Sequence, residues 1–198
     1  MDTPSHHSPD PPPFAPRGSA SRAEETLSSR RIYEGAVVKL RADRVRMSTG
    51  HEVVREVVEH SGAVTIIALD GEGRVLLVRQ HRHATGRALL ELPAGTLERD
   101  EDPEACARRE LEEETGFRAG RLGRLGGFFV APGYCTEYIR AYLATDLQPG
   151  RAGGDDDEDI QVLLLPLAEV LRLAETGELE DAKSLATLLL YLRRKGDS

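Results

Sequence analysis

Glu110, Glu113 and Glu114 stand at spacings i, i+3 and i+4 in the run R-E-L-E-E-E-T-G. On a helix turning roughly 100° per residue, they share one arc about 100° wide. Carboxylates placed this way repel one another, and a hard divalent cation with oxygen ligands removes that repulsion. The plain alternative is a solvated acidic face. The flanks mark out the helix itself. Asp102 is a good N-cap, Pro103 suits the first helical position, and Gly116 is placed to end the helix in a left-handed conformation. Ala107 and Leu111 fall beside the acidic arc and are expected in the core, while Arg108 and Glu112 are expected to face water. Cys106 is expected as a small buried or half-buried side chain.

A wider pattern surrounds the cluster: Gly95, five residues, Glu101, seven residues, Arg109-Glu110-Leu111, one residue, Glu113-Glu114, one residue, Gly116, then apolar Phe117. Every fixed position of the Nudix box is present, so the chain resembles the Nudix hydrolases. The resemblance implies that Glu110, Glu113 and Glu114 bind Mg2+ or Mn2+, with the backbone carbonyl of Ala94 as a further ligand. More than one ion is expected when substrate is bound. Glu101 and Arg109 are expected to pair and fix the helix orientation. Glu98 is near the metal site by position, or is an exposed loop acid.

Outside the box, four stretches resemble the ADP-ribose pyrophosphatase subgroup. F-F-V-A-P-G-Y-C-T-E places Pro132 sixteen residues after Gly116 and resembles an S-P-G-[FY]-x-x-E segment, with alanine where serine is usual. R-Q-H-R at 79–82 resembles a strand end that supplies an anion-binding arginine, here Arg82, which can make paired hydrogen bonds to phosphate. Arg79 is read as structural or exposed, and His81 and His83 as bystanders. The acidic loop 155–159 precedes Ile160-Gln161-Val162 and aligns Glu158 with a loop acid near the attacking water; Glu113 is the rival base. Glu56 matches an acid on the adenine side, from N-terminal strands that cross between subunits. Tyr134 or Phe129 could stack on a base or lie in the core.

These groups need elements to hold them. Strand patterns are expected at 32–40, 41–47 and 53–60, forming an antiparallel meander. A continuous apolar run, A-V-T-I-I-A-L at 63–69, predicts a buried strand. Asp70-Gly71-Glu72-Gly73 is a hairpin turn to a partner strand at 74–82. Further strands are predicted at 89–93, 121–130, 137–145 and 160–165, and helices at 166–176 and 181–194. Leu185, Leu188, Leu189 and Leu192 have helical spacing and are expected in the core. The class is α+β. The resemblance implies a mixed β-sheet between helices, an α/β/α sandwich of the Nudix type. The expected division is a disordered tail at 1–29, a β-strand dimerisation element at 30–61, and the hydrolase domain at 62–198.

Composition narrows the functional classes. With 198 residues, 39% hydrophobic and 30% charged, the chain reads as a water-soluble globular protein. A formal net charge of −8 opposes general nucleic-acid binding. No apolar run approaches membrane-spanning length, and no secretory h-region stands at the N-terminus. Cys106 and Cys135 form no disulfide framework, so a reducing, cytoplasmic setting is expected. His6 and His7 lie in the expected tail and are read as solvated. The resemblance implies Mg2+-dependent hydrolysis of ADP-ribose to AMP and ribose 5-phosphate, by a homodimer with exchanged N-terminal strands. The alternatives are another nucleoside diphosphate sugar or a dinucleotide polyphosphate as substrate, or a Nudix-fold ligand sensor without catalysis.

Overall fold

The computed structural model describes residues 24–151, 153 and 160–196. In chain order the elements are β1 (Glu25–Glu34), β2 (Lys39–Arg46), β3 (Glu52–Glu59), β4 (Ala63–Leu69), β5 (Arg74–Arg82), β6 (Arg87–Glu91), β7 (Ala94–Thr96), α1 (Pro103–Thr115), β8 (Phe117–Arg118), β9 (Arg121–Phe129), β10 (Tyr138–Thr145), β11 (Gln148–Pro149), β12 (Gln161–Pro166), α2 (Leu167–Thr176) and α3 (Ala182–Gly196).

β1, β2 and β3 form the expected antiparallel meander. β1 begins at Glu25, inside the stretch 1–29 expected to be a tail. Its sequence, E-T-L-S-S-R-R-I-Y-E, carries little alternation, and the strand is held by its ladder to β2 and by surface pairs such as Arg46 with Glu25. Residues 1–23 of the expected tail lie outside the described residues.

The main sheet runs β12-β5-β4-β10-β9, with β6 on β5 and β7 on β4. β10 is parallel to β4 and the other pairs are antiparallel, so the sheet is mixed. A continuous apolar strand must be covered on both faces, and β4 is. Val64, Ile66 and Ala68 pack on Cys106, Ala107 and Leu111 of α1. On the opposite face Ile67 joins Val75, Leu77, Val170, Leu173, Leu188 and Tyr191 beneath α2 and α3. The result is a sheet between helices.

α3 turns a different face inward from the one its leucines suggest. Ser184, Thr187, Leu188 and Tyr191 are buried, while Leu185 and Leu189 are 37% and 69% exposed. Leu192 packs at the edge of the core. The reason is a polar tether: Leu92 N–H donates to Ser184 Oγ at 2.8 Å, inside the core. That bond fixes the rotation of the helix about its axis.

The β4–β5 pair is joined near its turn only, at Ala68↔Leu76 and Leu69↔Val75. Beyond that the strands part, and the chain from 87 to 96 enters between them. Its first half, β6, pairs with β5; its second half, β7, pairs with β4. Ile66 N–H donates to Pro93 O at 2.8 Å across the changeover. This inserted strand delivers Glu91 to one side and Ala94-Gly95 to the other.

Asp70 closes the hairpin on which that slot depends. Its carboxylate accepts from Glu72 N–H (2.9 Å), Arg74 N–H (2.8 Å) and Arg74 Nε (2.7 Å). Burial opposes ionisation of Asp70, but the bonds from Arg74 and Glu72 outweigh it and hold the carboxyl below its ordinary value. Asp70→Ala is expected to lower unfolding stability by about 1–2 kcal/mol at neutral pH. For a depressed carboxyl, the stabilisation is complete above the ordinary value of 3.8 and is lost as pH falls through the lower folded value. Urea unfolding of both proteins checks this, with the stability gap expected to narrow below pH 3.8.

Candidate active site

α1 forms as its flanks dictate. Asp102 accepts from Glu104 N–H and Ala105 N–H at 3.0 Å, and Gly116, at φ 73°, donates back to Glu112 O. Ala107 and Leu111 are fully buried, which turns Glu110, Glu113 and Glu114 toward the loop ahead of the helix. Cys106 is also buried, and burial pushes its thiol up to about 12, so it is a packing residue.

Gly95 lets the loop pass close to the acids. A Cβ there would lie 1.9 Å from Glu110 Cδ. One residue earlier, Ala94 N–H donates to Glu114 Oε2 at 3.0 Å. β7 and the acidic face of α1 are therefore in direct contact.

The Arg109 guanidinium organises the acids. It makes a two-pronged pair with Glu101, Nε to Oε1 at 2.9 Å and Nη2 to Oε2 at 3.0 Å. Nη1 reaches Glu110 Oε1 at 2.8 Å and Glu113 Oε2 at 2.9 Å. The pairing with Arg109 carries the Glu101 carboxyl down to about 2. Glu110 moves the opposite way: burial raises its carboxyl, and the attraction of Arg109 does not fully offset this. Glu101 Oε2 also accepts from Glu98 N–H at 2.9 Å, so the loop before the helix closes on the same group.

Glu112 does not simply face water as expected. It accepts from Arg118 Nε at 2.8 Å and from Arg151 N–H at 3.1 Å. Gly150 N–H donates to Gly116 O at 2.7 Å, and Gly153 N–H to Glu113 O at 3.3 Å. The stem of the acidic loop is thus fastened to the last turn of α1. Glu158 itself lies outside the described residues.

A cleft of about 640 Å³ lies over these groups. One wall carries Ala94, Gly95, Glu98, Arg109, Glu110, Glu113 and Glu114. The opposite wall carries Gln80, Arg82, Asp181 and Lys183, with Val130, Glu137 and Ile139 at the side. Gln80 and Arg82 share the inward face of β5, while Arg79 and His81 point outward and His83 is also exposed. No local pattern singles out Gln80, Asp181 or Lys183. Glu137 was visible only as the last residue of the Pro132 segment.

Glu56, Pro132 and Tyr134 do not line this cleft. Glu56 is exposed on β3 opposite Ala42. Pro132 and Tyr134 sit on an exposed turn, with Tyr134 61% exposed and Phe129 49% exposed, so neither ring is core. The turn is stitched to β3: Val58 N–H donates to Tyr134 O at 2.8 Å and Thr136 N–H to Val58 O at 3.0 Å. The meander and the Pro132 turn therefore form one surface beside the cleft.

The donor set suits a hard divalent cation. It is carboxylate oxygen on a rigid helix, with loop backbone alongside. Among the described residues no three acidic or imidazole groups already converge as a closed metal cage. Arg109 takes Oε1 of Glu110 and Oε2 of Glu113, which leaves the second oxygen of each carboxylate for a cation.

A mixed sheet between helices, with a loop–helix–loop aiming carboxylates into a cleft, defines a Nudix-type hydrolase. Residues 59–188 match the NUDIX domain, and residues 24–58 match the nucleoside diphosphate sugar hydrolase N-terminal domain. An ADP-ribose pyrophosphatase of Bacillus subtilis is 37% identical over 88% of this chain and 95% of its own length. One from Mycobacterium tuberculosis is 44% identical over 83% and 81%. A GDP-mannose pyrophosphatase of Citrobacter koseri is 42% identical over 70% and 76%. The crystal structure of an ADP compounds hydrolase superposes with a TM-score of 0.78 over 88% of this chain and 96% of its own, at 24% identity, and so shares the fold. The chain belongs to the Nudix family and is a Nudix hydrolase.

Gly95 gives a test of the site that spares the fold. The atoms a Cβ would strike belong to the flexible end of Glu110, which can swing aside. Gly95→Ala is expected to shift the thermal midpoint by only a few degrees. The displaced Glu110 is expected to lower Mn2+ affinity, read by electron paramagnetic resonance, by about tenfold or more. An unchanged Mn2+ affinity would count against Glu110 as part of the cation site.

Proposed function

We propose that the protein hydrolyses the diphosphate bond of ADP-ribose to AMP and ribose 5-phosphate, using Mg2+ or Mn2+. The observation that carries this reading is the two-sided cleft. Carboxylates for cations line it together with Arg82 and Lys183, so groups for a metal ion and for a phosphate share one cavity. The ADP-ribose pyrophosphatases aligned over most of the chain support the choice of base and sugar.

Glu110, Glu113, Glu114 and the carbonyl of Ala94 are the residues that would hold the cations. When bound, divalent ions neutralise charge building on the diphosphate and ease deprotonation of water. The protein's own groups do the rest. Arg109, locked by Glu101, keeps α1 and the loop carrying Glu98 in register. Arg82 donates to the diphosphate. A carboxylate takes the proton of the attacking water, and Glu158 is our choice over Glu113. The anchoring of Arg151 and Gly153 to the end of α1 supports that choice, since it starts the acidic loop beside Glu113.

We further propose a homodimer. β1 is exposed on nearly its whole length, and Tyr33, Val37 and Val54 of the meander are 57%, 79% and 62% exposed. A strand with both faces in water lacks a packing partner. In a dimer with exchanged strands, Glu56 of one copy and the Pro132–Tyr134 turn of the other would complete the adenine end of the cleft. The 42% identical GDP-mannose pyrophosphatase gives the second reading, a different nucleoside diphosphate sugar in the same cleft.

Hydrolysis of a substrate panel with Mg2+ is the test. ADP-ribose is expected to be turned over best, and a clear preference for GDP-mannose or a diadenosine polyphosphate would establish the second reading. Glu110→Gln and Glu114→Gln are expected to lower kcat/KM by about 100-fold or more. The base is separable from the ligands. Glu158→Gln is expected to cut kcat by about 100-fold or more while Mn2+ affinity holds, whereas Glu113→Gln loses both. If Glu158→Gln keeps wild-type kcat, the base is not Glu158.

A further inference from the structure

Glu91 is a carboxylate with 1% of its side chain exposed, at the end of β6 and behind the cleft wall. A buried charge survives only with partners, and this one has two cations from separate elements. Arg82, on β5, donates through Nε to Oε1 at 2.8 Å and through Nη2 to Oε2 at 2.7 Å. Lys183, in the first turn of α3, donates to Oε2. Burial would raise the Glu91 carboxyl, but the two cations reverse this and hold it below its ordinary value, so it is an anion at neutral pH.

Arg82 and Lys183 line the cleft and Glu91 does not. Without the carboxylate, two positive groups would face each other across a poorly solvated gap and would splay apart. With it, each still has donors to offer. Arg82 uses two of the five N–H groups a guanidinium carries. Lys183 donates one of the three N–H groups an ammonium carries to Glu91, and forms an ion pair with Asp181 Oδ1 at 3.0 Å. Asp181 also accepts from Ser184 N–H at 3.0 Å, and Ser184 Oγ accepts from Leu92 N–H at 2.8 Å, next to Glu91. The start of α3 is therefore locked to the buried acid and to Leu92 beside it.

We propose that Glu91 is a positioning residue that holds Arg82 and Lys183 as one cationic unit facing α1, with their remaining N–H groups turned to the anionic diphosphate. This rests on the reading of the cleft as a diphosphate site. It adds Lys183 to the anion-binding side chains and assigns their shared orientation to Glu91. Gln has the shape of Glu but presents an NH2 where one cation needs an acceptor, so Glu91→Gln releases one of the two.

The test uses the full-length protein and inorganic pyrophosphate with excess Mg2+, titrated by calorimetry. Wild type, Glu91→Gln, Lys183→Met and the double variant are compared. Each single variant is expected to weaken pyrophosphate binding by about tenfold. If Glu91 acts through the cations, the double variant falls by no more than about threefold beyond the worse single one. Mn2+ affinity of Glu91→Gln is expected to match wild type, because the acidic wall is untouched; a general loss of structure would move both. Unchanged pyrophosphate binding in Glu91→Gln, or losses that multiply in the double variant, would overturn the proposal. If Glu91→Gln does not fold, Lys183→Met alone decides, and unchanged or tighter pyrophosphate binding overturns it. ADP-ribose hydrolysis by the wild type is scored separately. A wild type that leaves ADP-ribose intact, with the pyrophosphate pattern as expected, defeats the substrate reading and keeps the role of Glu91.

Discussion

The guanidinium of Arg109 is the interaction on which the site depends. α1 presents three carboxylates on one arc because its other side, Ala107 and Leu111, is needed in the core. Burial of that side leaves no freedom to rotate the acids apart. Arg109 answers the repulsion from within the helix, touching Glu110 and Glu113. It is itself gripped by Glu101 from the loop before the helix, and the grip is strong enough to hold that carboxyl at about 2. One side chain thereby joins helix, loop and acidic face.

The sheet supplies the other constraint. β4 and β5 separate after their turn, and a single strand fills the gap by pairing first with one and then with the other. The changeover at Leu92-Pro93 is where the two walls of the cleft diverge. Residues just before it, ending at Glu91, hold the cations of β5 and α3. Residues just after it, Ala94 and Gly95, abut the acids of α1. The polarity of the cleft is set by a strand only ten residues long, 87–96.

Local signals made much of this legible. The apolar run at 63–69 and the D-G-E-G turn placed β4 and β5, because burial on both faces and hairpin chemistry are written in adjacent residues. The α1 caps were equally plain. The box acids and Arg109 could be read because their spacing is helical. What escaped notice depends on partners distant in sequence. Glu91 and Lys183 stand 92 positions apart, and nothing near either marks a pair. The inward face of α3 departs from its leucine stripe because the bond from Leu92 N–H to Ser184 Oγ, between residues 92 positions apart, sets the rotation of the helix. Glu112 faces water by helical spacing alone, and its partners, Arg118 on β8 and Arg151 beyond β11, lie outside the helix. β1 has a weak pattern because it packs against no core among the described residues.

The two walls also differ in what they can do alone. The α1 wall carries more carboxylate than Arg109 neutralises, so it repels a free diphosphate. The opposite wall attracts one, but two of its cations are already shared with Glu91 and Asp181. Cation and diphosphate each supply the charge that the other's wall lacks. Under the proposed function this makes their binding reciprocal: whatever free energy the cation adds to diphosphate binding, the diphosphate must add to cation binding. Arg109 sits at the pivot of that exchange. It uses one oxygen each of Glu110 and Glu113 and leaves the other to a cation, while its two bonds to Glu101 keep the loop and helix in register.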